Sequence, residues 1–316
     1  MRIRLAIAVF GAVVVGVVLA RGSDGRPLPA AADCPVFPAS NHWNQPVDRL
    51  PTHPRSARIV AAIGSGARAH ADFGSGRWDG GPIGIPYVLV GRDQPRVPVR
   101  FEYASESDRG RYPIPRDAPV EGGRRADGDR HVIVVDRDRC ILHELFAAHP
   151  VDGGVRWRAG SGARWDLRSN RLRPRGWTSA DAAGLPILPG LVRYDEVRRG
   201  RIDHALRITV PRTRRAFVYP ARHFASNLTD RDLPAMGQRL RLKRGFDVAR
   251  FPPQSRVVLR ALKRYGALVA DNGSAWYVSG APSRGWDNDD LHSLHRVRGS
   301  DFEVVDTASL PRPRSR

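Results

Sequence analysis

The sequence predicts a mostly β protein, a jelly-roll-like β-sandwich with a few short helices at its edges. Its apolar runs are short, they are punctuated by Gly, Pro and Asp, and only three segments carry helical spacing.

At the N-terminus, Arg2 and Arg4 precede a charge-free apolar run from Leu5 to Ala20, which Arg21 closes. This is the pattern of an export signal or an N-terminal anchor. Residues 21–33 form a small polar leader, 34–310 read as one extracytoplasmic domain, and 311–316 are a basic tail. Leader and tail are expected to be mobile.

Within the domain, segments 83–90, 97–103, 131–136, 140–146, 205–210 and 216–219 read as strands. The pair 131–136 and 140–146 predicts a hairpin turning at Arg137-Asp138-Arg139. Segments 267–270 and 275–279 predict a second hairpin, turning at Asp271-Asn272-Gly273. Helices are expected over 56–63, 254–265 and 287–297. The second has Val257, Val258, Ala261, Leu262 and Tyr265 at helical spacing between Pro252-Pro253 and Gly266. The third opens on acidic residues, which a helix N-terminus favours.

The chain has two cysteines, Cys34 and Cys140. In the oxidising compartment that the signal implies, one disulfide is the expectation, and it would tie the N-terminal segment to the body.

The formal net charge is +20. Nearly all the cations are arginines scattered along the chain, with lysine only at Lys243 and Lys263. A basic patch that binds nucleic acid would be concentrated on one element. The charge therefore argues against nucleic acid as partner and suits an anionic wall polymer or acidic polysaccharide.

Several stretches carry a resemblance. Cys34-Pro-Val-Phe-Pro and Trp43-Asn-Gln-Pro open the domain, followed by Pro82-Ile-Gly-Ile-Pro-Tyr and Gly128-Asp-Arg-His. A dense block starts at Trp177-Thr-Ser-Ala-Asp and runs to Tyr194-Asp-Glu, then Ile202-Asp-His-Ala-Leu-Arg. Tyr219-Pro-Ala-Arg-His and Arg264-Tyr-Gly-Ala-Leu-Val-Ala-Asp-Asn-Gly come later. Together these resemble a family of exported bacterial proteins to which no activity is attached. The resemblance implies export and one intact domain, and no catalytic residue is carried over from it.

No Gly-x-Ser-x-Gly elbow, His-Glu-x-x-His, Walker loop or Rossmann glycine pattern is present. Candidate chemistry therefore rests on isolated polar residues. Glu144 lies between Leu142 and Phe146, where desolvation would raise its pKa and suit a general acid. Pairing with an arginine is the structural alternative. Asp166 sits among Trp157, Trp165 and Trp177, and acids beside indoles suit a sugar site as well as a core. Asp181, in Thr178-Ser-Ala-Asp, fits a substrate contact or a helix cap.

His131, His204 and His223 are candidate bases or cleft residues, and each equally fits a hydrogen-bonded structural role. Arg207 is a candidate substrate contact. Asp271 reads as a turn residue.

These features predict a secreted carbohydrate-active enzyme, a hydrolase of an extracellular or cell-wall glycan. Glu144, Asp166, His131 and His204 are its candidate catalytic residues, and Trp165, Trp177, His223, Asp181 and Arg207 its candidate substrate contacts. Two-carboxylate hydrolysis needs the acids roughly 5–10 Å apart and facing one groove. A lyase acting on an acidic sugar, through His, Tyr and a neutralising Arg, is the variant. A non-catalytic glycan-binding or structural envelope protein is the alternative from another class. No cofactor or metal is expected, no membrane span beyond the N-terminal segment, and a monomer.

Overall fold

The computed structural model describes residues 25–312. The predicted signal, 1–20, and tail residues 313–316 lie outside the described residues. The protein is mostly β, with short helices and several sheets.

The largest sheet has the order β1 (His70–Asp72), β15 (Tyr277–Ser279), β12 (Leu206–Val210), β14 (Ala267–Asn272), β13 (Arg239–Leu242) and β16 (Phe302–Val304). A second sheet runs β11 (Ser161–Asp166), β8 (Ile141–Phe146), β7 (Val132–Asp136) and β4 (Tyr87–Val90). A third joins β6 (Arg111–Tyr112), β5 (Val97–Phe101), β10 (Arg156–Ala159) and β9 (His149–Val151). β2 (Arg77–Trp78) and β3 (Gly81–Pro82) form a small ribbon. The pairs β1/β15, β12/β14, β4/β7 and β5/β10 are parallel, a pattern that a wholly antiparallel jelly roll lacks.

β7 explains why the hairpin is the most legible element. Every residue of Val132–Asp136 is buried. Ile133 and Val135 join the main apolar core with Leu142, Ala163, Ile208 and Val269. Val132 and Val134 enter a second core with Leu145, Tyr112, Phe101 and Trp157. The strand is thus covered on both faces, as an unbroken β-branched run requires.

The predicted hairpin β7–β8 forms in register, Val132 opposite Leu145 and Asp136 opposite Ile141. The second predicted hairpin does not. β14 and β15 are each hydrogen-bonded to β12, which lies between them. Segment 216–219 likewise makes only an isolated bridge, Phe217 to Met236.

Three helices fall where the spacing places them. α1 is Ser56–Ile63, and α2, a short helix not expected, is Tyr194–Arg198. α3, Pro253–Arg264, buries Val257, Val258, Ala261 and Leu262 and is followed by Gly266 at φ +66°. A side chain on Gly266 would strike the Leu240 carbonyl, so the close approach to β13 requires glycine. α4, Asn288–His292, is capped by Asp287, whose carboxylate accepts the Asp289 and Asp290 N–H groups.

The N-terminal leader departs from expectation over residues 25–33. Leu28 and Ala31 are buried, and Arg26 donates to Asp203 at 2.6 Å. The expected Cys34–Cys140 disulfide is present across 106 residues and fastens this segment to the turn before β8.

Candidate functional site

The candidate site is built on one face of the large sheet, around Arg207 of β12. The hydroxyl of Ser279, on β15, accepts from Arg207 Nη1 at 2.7 Å. Asp72 of β1 pairs with Ser279. Directly paired residues share a face, so Asp72 and Ser279 stand in one row beside Arg207.

On the other side a bulge decides the geometry. β12 and β14 pair Ile208 with Val269, then Thr209 with Asp271, so Ala270 is skipped. Without the extra residue Asp271 would pair with Val210 and face away. The bulge turns it to the Arg207 face, where its Oδ2 lies 3.4 Å from Nη2. The Ala270 carbonyl accepts the Ala183 N–H and so anchors the 178–188 loop against β14.

That loop delivers Asp181. Its two oxygens accept from Arg207 Nε and Nη2 at 2.8 Å each, a bidentate pair buried at both ends.

Loop residues before β7 complete the cluster. His131 Nδ1 lies 2.6 Å from Glu121 Oε2, and Nε2 lies 2.9 Å from the Ala180 carbonyl. Carboxylate and carbonyl oxygens both accept, so both ring nitrogens carry protons and the side chain is an imidazolium. Burial alone would pull its pKa down, but the Glu121 charge and hydrogen bond, with Asp129, outweigh it and raise it to about 9. For Glu121, burial works upward, but His131 dominates and holds the carboxyl below its usual range.

Two carboxyls move the other way. Burial, then the Asp181 charge, pushes Asp271 up to about 7 despite Arg207. Desolvation by the surrounding protein, then the Glu121 charge, raises Asp72, although the residue is exposed at the edge of the sheet. Carboxyls of opposite tendency thus meet around one arginine. Asp72, Glu121, Asp129, Asp181 and Asp271 form an acidic centre in a strongly basic chain.

The β2–β3 ribbon lies beside this centre. Gly81 packs directly on the Gly122 backbone, next to Glu121. Trp78, paired with Gly81, is 79% exposed, and among the described residues it is the most exposed large apolar side chain.

Of the residues anticipated from sequence, His131, Asp181 and Arg207 meet here. His223 borders the site: its Nδ1 donates to the Ala182 carbonyl at 2.8 Å. Since His131 is already doubly protonated, it positions Glu121 and is not a base.

The remaining anticipated residues serve elsewhere. Glu144 is fully buried and accepts the Ile187 and Leu188 N–H groups at 2.9–3.0 Å, holding the far end of the 178–188 loop. Burial pushes its pKa up to about 7 against those backbone bonds.

Ala163 is the residue opposite Glu144, while Asp166, three positions on, faces the other side of the sheet. Asp166 is exposed and accepts the Arg168 N–H at 2.9 Å. The expected Glu144–Asp166 pair therefore cannot flank one bond.

His204 is buried with Nε2 3.0 Å from Glu196 and Nδ1 donating to Ala205 O at 2.8 Å. Trp165 and Trp177 hold the Arg173 guanidinium 5.7 and 5.5 Å from their rings, with Arg173 also bonded to Asp108. These are structural roles.

Sequence reasoning missed Glu121, Asp72, Ser279 and the site role of Asp271. Among the described residues, no group of three or more His, Cys, Asp or Glu is placed to hold a metal ion. No helix there is long and apolar enough to cross a membrane. No protein-family model, curated protein or solved structure matches the chain.

Proposed function

We propose that this is an extracytoplasmic glycan hydrolase whose general acid is Asp271. The observation that carries this reading is the bulge that sets Asp271 beside Arg207 with a proton affinity near neutrality, facing a centre that also holds the ionised Glu121. Carboxyls pushed apart in pKa are how acid and base roles are divided.

In the proposed reaction Asp271 gives its proton to the glycosidic oxygen as the C–O bond breaks. Glu121 takes a proton from the water that attacks the anomeric carbon. Arg207, held by Asp181 and Ser279, fixes Asp271. Trp78 offers a ring face for a pyranose to stack on.

The disulfide suits an oxidising compartment and supports secretion. The core shared by the large sheet and the β11–β8–β7–β4 sheet supports a sandwich-type stacking.

The test is release of reducing ends from neutral and acidic polysaccharides by the wild type and by Asp271→Asn. Release by the wild type and its loss in the variant support the reading; release by neither, or equally by both, rejects it. Trp78 also favours a second reading, a non-catalytic glycan-binding protein, which predicts binding without any release.

A further inference from the structure

A cationic cleft lies where the chain enters the large sheet, at the start of β1 and away from the Asp72 end. It is open, about 400 Å³ in volume, and lined by Arg68, His292, Ser293, His295, Arg296 and Arg298. The three arginines and His292 are exposed. No acidic residue lines the cleft.

The backbone brings two of these arginines together. The Ala69 N–H donates to the Val297 carbonyl at 2.9 Å, and the Gly299 N–H to the Ala67 carbonyl at 2.8 Å. Between those bonds Arg68 and Arg298 form an antiparallel bridge of the non-hydrogen-bonded kind. Such a pair sets its Cα atoms about 4.5 Å apart and its side chains closest together. Like charges held opposite one another are destabilising. Neither guanidinium ion-pairs among the described residues, and the neighbouring acid, Asp301, accepts the Arg298 backbone N–H at 2.8 Å instead. An anion between the two would relieve the repulsion and accept from two planar forks of donors.

The rest of the lining is held in place by the protein. His295 Nε2 lies 2.6 Å from Nδ1 of His70 on β1, and His70 stacks on its strand partner Tyr277 at 4.3 Å. His292 meets His295 edge to face at 4.2 Å. Arg296 donates to the Arg250 carbonyl at 3.1 Å and lies over the Phe251 ring at 4.4 Å. Side chains ordered in advance lower the cost of binding. Burial, then His292, His70 and Arg68, holds His295 below its usual pKa, the mark of an uncompensated positive field.

We propose that this cleft binds the anionic group of an acidic sugar, a carboxylate or a sulfate ester, between Arg68 and Arg298. Continuing the alternation of β1 backwards puts Arg68, His70 and Asp72 on one face. Arg68 and Asp72 are then roughly 13 Å apart along the strand. A short run of sugars spans that distance, so a glycan anchored at the cleft reaches the centre around Arg207. That reach rests on the hydrolase reading; the anion site itself does not. A nucleic acid, charged at every residue, would meet Asp72 and Glu121 on the same path, whereas a glycan with spaced charges need not.

The test is calorimetric titration of the intact chain with an oligogalacturonate and a sulfated gluco-oligosaccharide. A neutral gluco-oligosaccharide and a DNA oligonucleotide of similar length are the comparisons. The charged sugars bind, the neutral one binds at least about tenfold more weakly, and the tighter charged sugar names the anionic group. The double variant Arg68→Gln, Arg298→Gln weakens that binding at least about tenfold. The double variant Arg100→Gln, Arg158→Gln removes another exposed, cross-strand arginine pair, from the third sheet, and leaves binding unchanged.

Near-ultraviolet circular dichroism confirms that each variant is folded. No binding of either charged sugar, equal binding of the neutral sugar or of DNA, or equal losses in the two double variants overturns the proposal. Asp271→Asn keeps the charged-sugar binding whether or not hydrolysis is found, so the cleft and the catalytic reading fail separately.

Discussion

Arg207 and Asp181 meet through two N–H···O bonds of 2.8 Å, with both side chains buried between the large sheet and the 178–188 loop. Burying such a pair gains little net stability, but breaking it is costly because the surviving charge has no water to return to. Asp181→Ala is expected to destabilise the protein by about 3–5 kcal/mol. Replacing both residues with apolar side chains of similar volume recovers most of that loss. Denaturant unfolding of the single and double variants checks this.

His131 and Glu121 make stability depend on alkaline pH. The folded-state pKa of His131 is raised to about 9 from 6.5, so its contribution is fully present below 6.5. It is lost as pH rises through about 9. Glu121→Gln removes the partner and should flatten that part of the profile, as melting temperatures across the window report.

Glu144 and Asp166, similar in the sequence, should respond to truncation with very different costs. Glu144→Ala strands two buried N–H groups, at Ile187 and Leu188, and is expected to cost about 2–5 kcal/mol. Asp166→Ala removes an exposed turn contact and should change stability by no more than about 0.5 kcal/mol. Neither is expected to act as acid or base. Parallel unfolding curves decide.

The Cys34–Cys140 bridge closes a loop with a separation of 106 residues. In the chain-entropy account its removal costs roughly 4–5 kcal/mol. Comparing the wild type with the Cys34→Ser, Cys140→Ser double variant in denaturant measures it. Residues 25–33 should be the first to become protease-sensitive.

What the sequence revealed follows from how local each determinant is. The β7–β8 hairpin, α1, α3 and the Asp287 cap depend on neighbours a few residues away, and all were legible. The second hairpin failed because β12, some sixty residues earlier in the chain, inserts between β14 and β15. Asp271 looked like a turn residue for the same reason: its facing depends on a bulge against a distant strand.

Glu144 looked catalytic because an acid among aliphatics needs a reason to be there. The reason is two backbone N–H groups contributed from more than forty positions away. Asp181 and Arg207 are separate candidates in the sequence, and only the fold shows that they hold each other.

If Asp271 is the general acid of a glycan hydrolase, as proposed, it must act while protonated, and the pH dependence of hydrolysis decides this. Burial and Asp181 place its pKa at about 7, so the rate should fall as pH rises past that value. A rate that stays flat between about pH 6 and 8, with Asp271→Asn as active as the wild type, would contradict it.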